Sequence, residues 1–232
     1  YRTNRLRDMY PDNNFVNVGF SKLDPILNGD ITGLDLNILN LDPTKKTMVY
    51  APTFYPSSIE RFPKDFPQDF SDLNIIIKPH YFSLSKDKYK KQRELLECWS
   101  DYDNVYVAQV DDYSLVPFMA TAELLMSDAS SAIIEFAALD KPVIWCNFLK
   151  LRWNYRGIFS YRLKQRMDKD YNEYSKIAVR SDSYEALKKN VKEQLLNPGA
   201  LSKDRLHYAK KLVGSLDGAA SKRIIDYLLE NK

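Results

Sequence analysis

The chain has 232 residues, 44% of them apolar and 28% charged, with a formal net charge of +3 at pH 7. That is enough for a hydrophobic core in one large domain or two small ones, and it excludes a disordered tail. Apolar runs of only a few residues exclude a membrane-spanning helix, and the lone Cys98 and Cys146, in no CxxC pair, argue against a disulfide scaffold or a zinc ribbon and fit a reducing cytoplasm.

Residues 1–46 are rich in Asn, Asp and Pro, with one short apolar stretch at Phe15–Val18. They are expected to form a linker leading in from an N-terminal domain that the chain lacks. The first residue is Tyr1, with no methionine and no signal-type segment, as in a piece of something longer. The α/β domain is expected over residues 47–232. Apolar and β-branched runs predict strands at Thr47–Ala51, Leu73–Lys78, Asn104–Ala108, Glu123–Ser127, Pro142–Cys146 and Lys176–Arg180. Runs such as Ile75-Ile76-Ile77 suit strands buried on both faces of a parallel sheet. Helices are predicted at Lys86–Ser100, Ser114–Thr121 with Ser114 as cap, Ser131–Leu139, Tyr184–Leu196, Ser202–Val213 and Gly218–Glu230. The alternation predicts a doubly wound, Rossmann-like α/β fold with a parallel sheet and ligands at the carboxyl ends of its strands. Residues 147–175 form a long irregular stretch of the kind that often carries function.

Four places carry candidate chemistry. Lys78-Pro79-His80 ends an apolar strand, where a histidine can hold phosphate charge or move a proton and Lys78 adds a point charge. In Ser127-Asp128-Ala129-Ser130-Ser131 a strand passes through small residues into a helix, so free N–H groups and the Ser130 and Ser131 hydroxyls form an anion site; either serine also suits a plain N-cap. Glu135, one turn further, suits ribose hydroxyls or a solvated helix face. The stretch from Lys150 to Arg166 holds Lys150, Arg152, Arg156, Arg162, Lys164 and Arg166 among Trp153, Tyr155, Phe159 and Tyr161, with no acid. It suits a polyphosphate polymer, anionic lipid, single-stranded nucleic acid or simple solvation. Asp217-Gly218-Ala219-Ala220-Ser221 opens the last helix, with Asp217 as cap or the helix start as a phosphate contact. No GxGxxG, P-loop, HExxH or GxSxG motif occurs, and no metal or other cofactor is identified.

Taken in order, these segments resemble the CDP-glycerol glycerophosphotransferase family, the teichoic-acid and capsule polymerases of GT-B architecture. Val18-Gly19-Phe20-Ser21-Lys22-Leu23-Asp24 resembles the segment by which those proteins leave their first domain. Tyr50-Ala51-Pro52-Thr53 is similar to their Tyr-Ala-Pro-Thr, and Lys78-Pro79-His80 to their Lys-x-His-Pro with the last two positions exchanged. Ser127-Asp128-Ala129-Ser130-Ser131 resembles Thr-Asp-Tyr-Ser-Ser, with Ala129 in place of the aromatic residue. Leu139-Asp140-Lys141-Pro142 resembles Leu-Asp-Arg-Pro, and Tyr155-Arg156-Gly157 the family's Tyr-x-x-Arg-Gly loop. Asp217-Gly218-Ala219-Ala220-Ser221 with Arg223 resembles Asp-Gly-Lys-Ala-Ser-x-Arg, with Ala219 at the lysine.

The resemblance implies the C-terminal, donor-binding half of a GT-B transferase. It would bind a CDP-alditol, CDP-glycerol or CDP-ribitol, and pass the alditol phosphate to a growing polymer or lipid-linked acceptor with release of CMP. On that reading His80 is catalytic, and Ser130, Ser131, Arg156 and Lys78 hold donor phosphate. Glu135, Asp217 and Ser221 contact the ribose or nucleotide. The family's His-Gly-Thr-Pro motif, implied to supply an acceptor-side base from an N-terminal domain, has no counterpart here, so the chain alone is expected not to turn over. A cytoplasmic protein, in peripheral contact with the anionic inner face of the membrane, is expected. The alternatives are a glycosyltransferase domain using a UDP- or CMP-linked donor, and a polyanion- or nucleic-acid-binding module. The small charge excess disfavours nucleic acid as a partner.

Overall fold

The computed structural model describes residues 2–152, 155, 157–161 and 174–231. Six strands form one sheet: β1 Thr47–Ala51, β2 Asn74–Ile77, β3 Val105–Val107, β4 Leu124–Ser127, β5 Val143–Cys146 and β6 Val179–Ser181. Their order is β3-β2-β1-β4-β5-β6 and every pairing is parallel, the doubly wound α/β sheet that the alternating pattern predicts. Every residue of β1, β2, β4 and β5 is buried, so these strands need apolar side chains on both faces.

The helices are α1 Arg2–Met9, α2 Asp24–Leu27, α3 Tyr81–Ser85, α4 Lys90–Ser100, α5 Val116–Thr121, α6 Ser131–Ala137, α7 Tyr174–Ile177, α8 Tyr184–Leu196, α9 Ser202–Val213 and α10 Ala220–Glu230. Alternate strand residues divide the core. Val49, Ile76, Leu125 and Trp145 face Phe118, Met119, Ile133 and Phe136, whereas Met48, Ile75, Ile77 and Met126 face Phe62, Phe66, Trp99 and Leu187. The last strand lies further along the chain than its apolar run suggested. Tyr174–Ile177 is helical, and the buried Ile177 packs on the first of these faces rather than joining the ladder.

Part of the expected linker is packed into this body. Leu23 and Leu41 are buried, and Ile26, Leu34, Leu36 and Leu39 lie against the first core face. Leu34-Asp35-Leu36-Asn37-Ile38 alternates as a strand would, yet the segment forms no strand and leaves Ile38 exposed, so the local pattern misreports this burial. The Leu139-Asp140-Lys141-Pro142 turn is held from both sides. Lys141 Nζ donates to the carbonyls of Met119, Ala120 and Ala122 at the end of α5, where a cation complements the helix dipole. The buried Arg205 of α9 bonds the Asp140 carboxylate at 3.0 Å and the Pro198 carbonyl at 2.7 Å.

The two ends of the chain meet at α10. Its first turn is capped by the Asp24 carboxylate, which accepts from the Ala220 N–H at 3.3 Å and the Ser221 N–H at 2.6 Å. Asp217 pairs with Arg223 through two bonds of 2.8 and 2.9 Å, which with the Ala219 N–H hold its pKa down to about 2. Arg223 Nε donates to the Val18 carbonyl at 2.9 Å. Gly218 stands at φ +70° with the Asn28 side chain against it; a Cβ there would meet Asn28 Oδ1 at 1.9 Å. This tight turn is why α10 starts at Ala220 rather than at Gly218.

Candidate donor-binding site

The strand order reverses direction between β1 and β4, and a cleft of about 530 Å³ opens just beyond their carboxyl ends. Each neighbouring strand sends its following loop to the wall. The end of β1 and its loop contribute Ala51, Pro52 and Thr53; the loop after β2 contributes Lys78, Pro79 and His80; that after β3 contributes Gln109, Val110, Asp112 and Tyr113. β4 leads into Ser130 and Ser131 at the start of α6, with Glu135 one turn on, and Lys22 reaches in from the N-terminal segment.

The hydroxyls differ in availability. Ser127 Oγ donates to the Ala51 carbonyl at 2.6 Å, so the 2.9 Å contact between Ser127 and Ser130 uses the Ser130 hydroxyl proton. Ser130 takes the extended N-cap conformation but makes no side-chain cap bond, leaving the first turn of α6 without a side-chain acceptor. Ser131 is exposed at the cleft wall. Its hydroxyl is therefore the more available donor of the pair.

His80 caps α3. Its Nδ1 accepts from the Phe82 N–H at 3.1 Å, so in the neutral ring the proton resides on Nε2. The ring packs on Phe54 at 4.6 Å and on Phe82 at 5.1 Å between centroids. Burial first, and then the nearby Lys78 ammonium, lower the imidazole pKa. Neutral His80 thus offers an N–H to the cleft. Lys78 is half-buried, and its pKa is lowered by desolvation while Asp112 opposes the shift. Glu135 is 4% exposed and pairs with Lys22, Oε2 to Nζ 2.6 Å.

Behind this wall lies Asp128, fully buried. It accepts from the Thr53 N–H at 2.9 Å, from the Ser58 N–H at 3.1 Å and from both hydroxyls of those residues. Tyr50 completes the cluster through a 2.7 Å contact with the Ser58 hydroxyl. Desolvation outweighs these bonds and pushes the Asp128 pKa up to about 6. Asp128 ties the loop after β1 to the segment that presents the two serines.

Five of the residues singled out from the sequence, Lys78, His80, Ser130, Ser131 and Glu135, therefore share one cleft. Asp217 and Ser221 are not among its lining residues; they belong to the α10 cap, where Asp24 already supplies the anion. Arg156, like Trp153, Arg162, Lys164 and Arg166, lies outside the described residues. The sequence patterns assigned no ligand role to Lys22, Asp128 or the Gln109–Tyr113 wall, where Asp111-Asp112 read as a helix cap. Asp128 had a signal, a carboxylate directly before a serine pair, but its partners are 70 and 75 residues away. Among the described residues no group of His, Cys, Asp and Glu side chains is arranged to hold a metal ion.

The family described as CDP-Glycerol:Poly(glycerophosphate) glycerophosphotransferase matches residues 2–230. The chain belongs to this glycerophosphotransferase family. Its similar relatives include the teichoic acid glycerol-phosphate primase of Bacillus subtilis strain 168, 27% identical over 202 residues, which cover 80% of this chain and 51% of that protein. The teichoic acid glycerol-phosphate primase of Bacillus spizizenii strain W23 is 33% identical over 110 residues, 47% of this chain and 27% of that protein. The wall teichoic acid polymerase TagF, in a CDPG soak, superposes with a TM-score of 0.58 at 18% identity over 93% of this chain and 50% of that one. A UDP-N-acetylglucosamine 2-epimerase does so with a TM-score of 0.55 at 18% identity over 98% of this chain and 55% of that one. Such structural likenesses establish the shared fold. This glycerophosphotransferase-family chain spans about half the length of the Bacillus subtilis relative and of TagF.

Proposed function

We propose that the cleft binds CDP-glycerol as the donor of a glycerol phosphate group. The observation that carries this reading is the convergence of Ser131, Lys78 and His80, all potential donors to an anion, on one cleft at the switch point of the sheet. The diphosphate lies against the Ser130 and Ser131 hydroxyls, with Lys78 supplying charge. Glu135 accepts from the ribose hydroxyls beside its Lys22 pair.

In the reaction, a hydroxyl at the end of the acceptor polymer attacks the β-phosphorus. A new phosphorus–oxygen bond forms, the bond from that phosphorus to the bridging oxygen breaks, and CMP leaves with the electron pair. CMP is a stable phosphate anion and needs no full proton on departure. Neutral His80 accordingly serves by hydrogen-bonding the developing charge through Nε2–H. The base that takes the attacking hydroxyl's proton is assigned, on family resemblance, to an N-terminal domain. Among the described residues no helix is long and apolar enough to cross a membrane. Peripheral contact with an anionic membrane, through the basic stretch 150–166, is part of the same reading.

Titration of CDP-glycerol, CDP-ribitol, UDP-N-acetylglucosamine and CMP against the wild type and a Ser130→Ala/Ser131→Ala pair tests the phosphate assignment. CDP-glycerol is expected to bind the wild type and to lose at least tenfold in the pair, about one charge-assisted hydrogen bond. Equal affinity for both proteins would remove the assignment.

A further inference from the structure

A second, smaller pocket of about 230 Å³ adjoins the donor cleft. The Phe54 ring packs both on His80 of the cleft, at 4.6 Å, and on Tyr89 of the second pocket, at 5.9 Å. We propose that this pocket holds a phosphodiester of the acceptor chain, one repeat or so back from the attacking hydroxyl. The chemical class is a phosphodiester-linked polyol. Naming it as the acceptor rests on the donor reading above.

Charge is the first reason. Lys88, Lys150 and Arg152 line the pocket, and among the described residues its only carboxylate is Glu60, which Lys150 already engages at 2.6 Å. Two positive charges are left over.

The second reason is how those charges are held. The Arg152 guanidinium lies over the Tyr55 ring at 4.2 Å from its centroid, and the Arg152 backbone N–H donates to the Tyr55 hydroxyl at 3.0 Å. The Lys88 ammonium lies 5.1 Å from the Tyr89 centroid. Ring faces fix both cations without consuming their N–H donors, which suits an oxyanion. The same contacts disfavour a nucleobase, because Arg152 covers one neighbourhood of Tyr55 and Tyr155 packs 5.8 Å away.

The third reason is an orphaned acceptor. Gln92 lines the pocket at 2% exposure; its Nε2 donates to the Phe54 carbonyl at 3.1 Å, and its buried Oε1 has no partner among the described residues. A polyol hydroxyl would satisfy it once the pocket wall shifts enough to uncover the atom. The walls are also fastened together, since the Lys150 N–H donates to the Ser57 carbonyl at 2.8 Å and joins the loops after β5 and β1.

The test uses the 232-residue chain, wild type and Lys88→Gln/Arg152→Gln, titrated with a short glycerol phosphate oligomer, inorganic phosphate, phosphatidylglycerol vesicles and CDP-glycerol. Both side chains are exposed, so unchanged melting temperatures are expected and verify folding. The oligomer should bind the wild type with an affinity that falls as salt rises, and bind the variant about tenfold more weakly. CDP-glycerol affinity should be the same for both. Equal oligomer affinity for the two proteins, or none for either, overturns the proposal. So does inorganic phosphate binding as tightly as the oligomer, or vesicles alone responding to the substitutions. Failure of CDP-glycerol to bind either protein would refute the donor reading instead, and the oligomer titration would still decide the pocket.

Discussion

Replacing Lys78 by methionine weakens CDP-glycerol binding about thirtyfold, or about 2 kcal/mol, and raises the pKa of His80. Lys78 is the half-buried cation of the cleft, carried on the residue that follows β2, and its backbone N–H is fixed to the Tyr50 carbonyl at 2.8 Å. An ammonium already partly stripped of water binds a diphosphate with less desolvation still to come. Methionine keeps the stem and removes the charge. It also removes the second of the two causes that hold the His80 pKa down. The imidazole signal in a proton NMR titration should therefore move its midpoint upward, though burial still holds it below the ordinary value. Unchanged affinity together with an unchanged His80 midpoint would place Lys78 outside the working site.

Asp128→Asn has an effect whose sign depends on pH. Folding raises the Asp128 pKa from 3.8 to about 6, so the folded chain binds more protons than the unfolded chain across that interval. This group's contribution to stability is fully present below pH 3.8 and is lost as pH rises through about 6. The interval corresponds to about 3 kcal/mol. Asparagine carries no such dependence, but it sets an amide N–H against the N–H of Thr53 or Ser58, at about 2 kcal/mol. Denaturant titrations at pH 4 and pH 7 should find the variant less stable at pH 4, and level with or above the wild type at pH 7. A gap that stays constant with pH would contradict the burial of a charged Asp128. Tyr50 and Cys146, the other titratable groups beside it, have pKa values raised by burial and stay neutral over this range. The carboxylate kept here at a cost in stability acts as a clamp, accepting from the N–H groups of both Thr53 and Ser58.

The fold was legible because its signals are local. Ile75-Ile76-Ile77 and the other apolar runs are short, separated by polar helices, and too continuous for one-sided strands. Lys78, His80, Ser130, Ser131 and Glu135 were legible for the same reason: each lies just after a strand or within the first turns of the helix that follows it. What escaped depends on distant partners. Asp217 and Ser221 look like a vacant helix start in the sequence, yet the anion that fills it, Asp24, is 197 residues from Ser221. Lys22 meets Glu135 across 113 residues, and nothing beside it in the chain marks it as a cleft residue. The buried Leu23 and Leu41 sit in a segment rich in Asn, Asp and Pro, and Gln92, polar on a polar helix, gives no sign of burial.

The most direct measurement is a crystal structure of the chain with CDP-glycerol. The diphosphate is expected within hydrogen-bonding reach of Ser131 Oγ, Lys78 Nζ and His80 Nε2, with the ribose hydroxyls on Glu135. A diphosphate seated elsewhere, with His80 and the serine pair making no contact to it, would contradict the assignment of this cleft as the donor site.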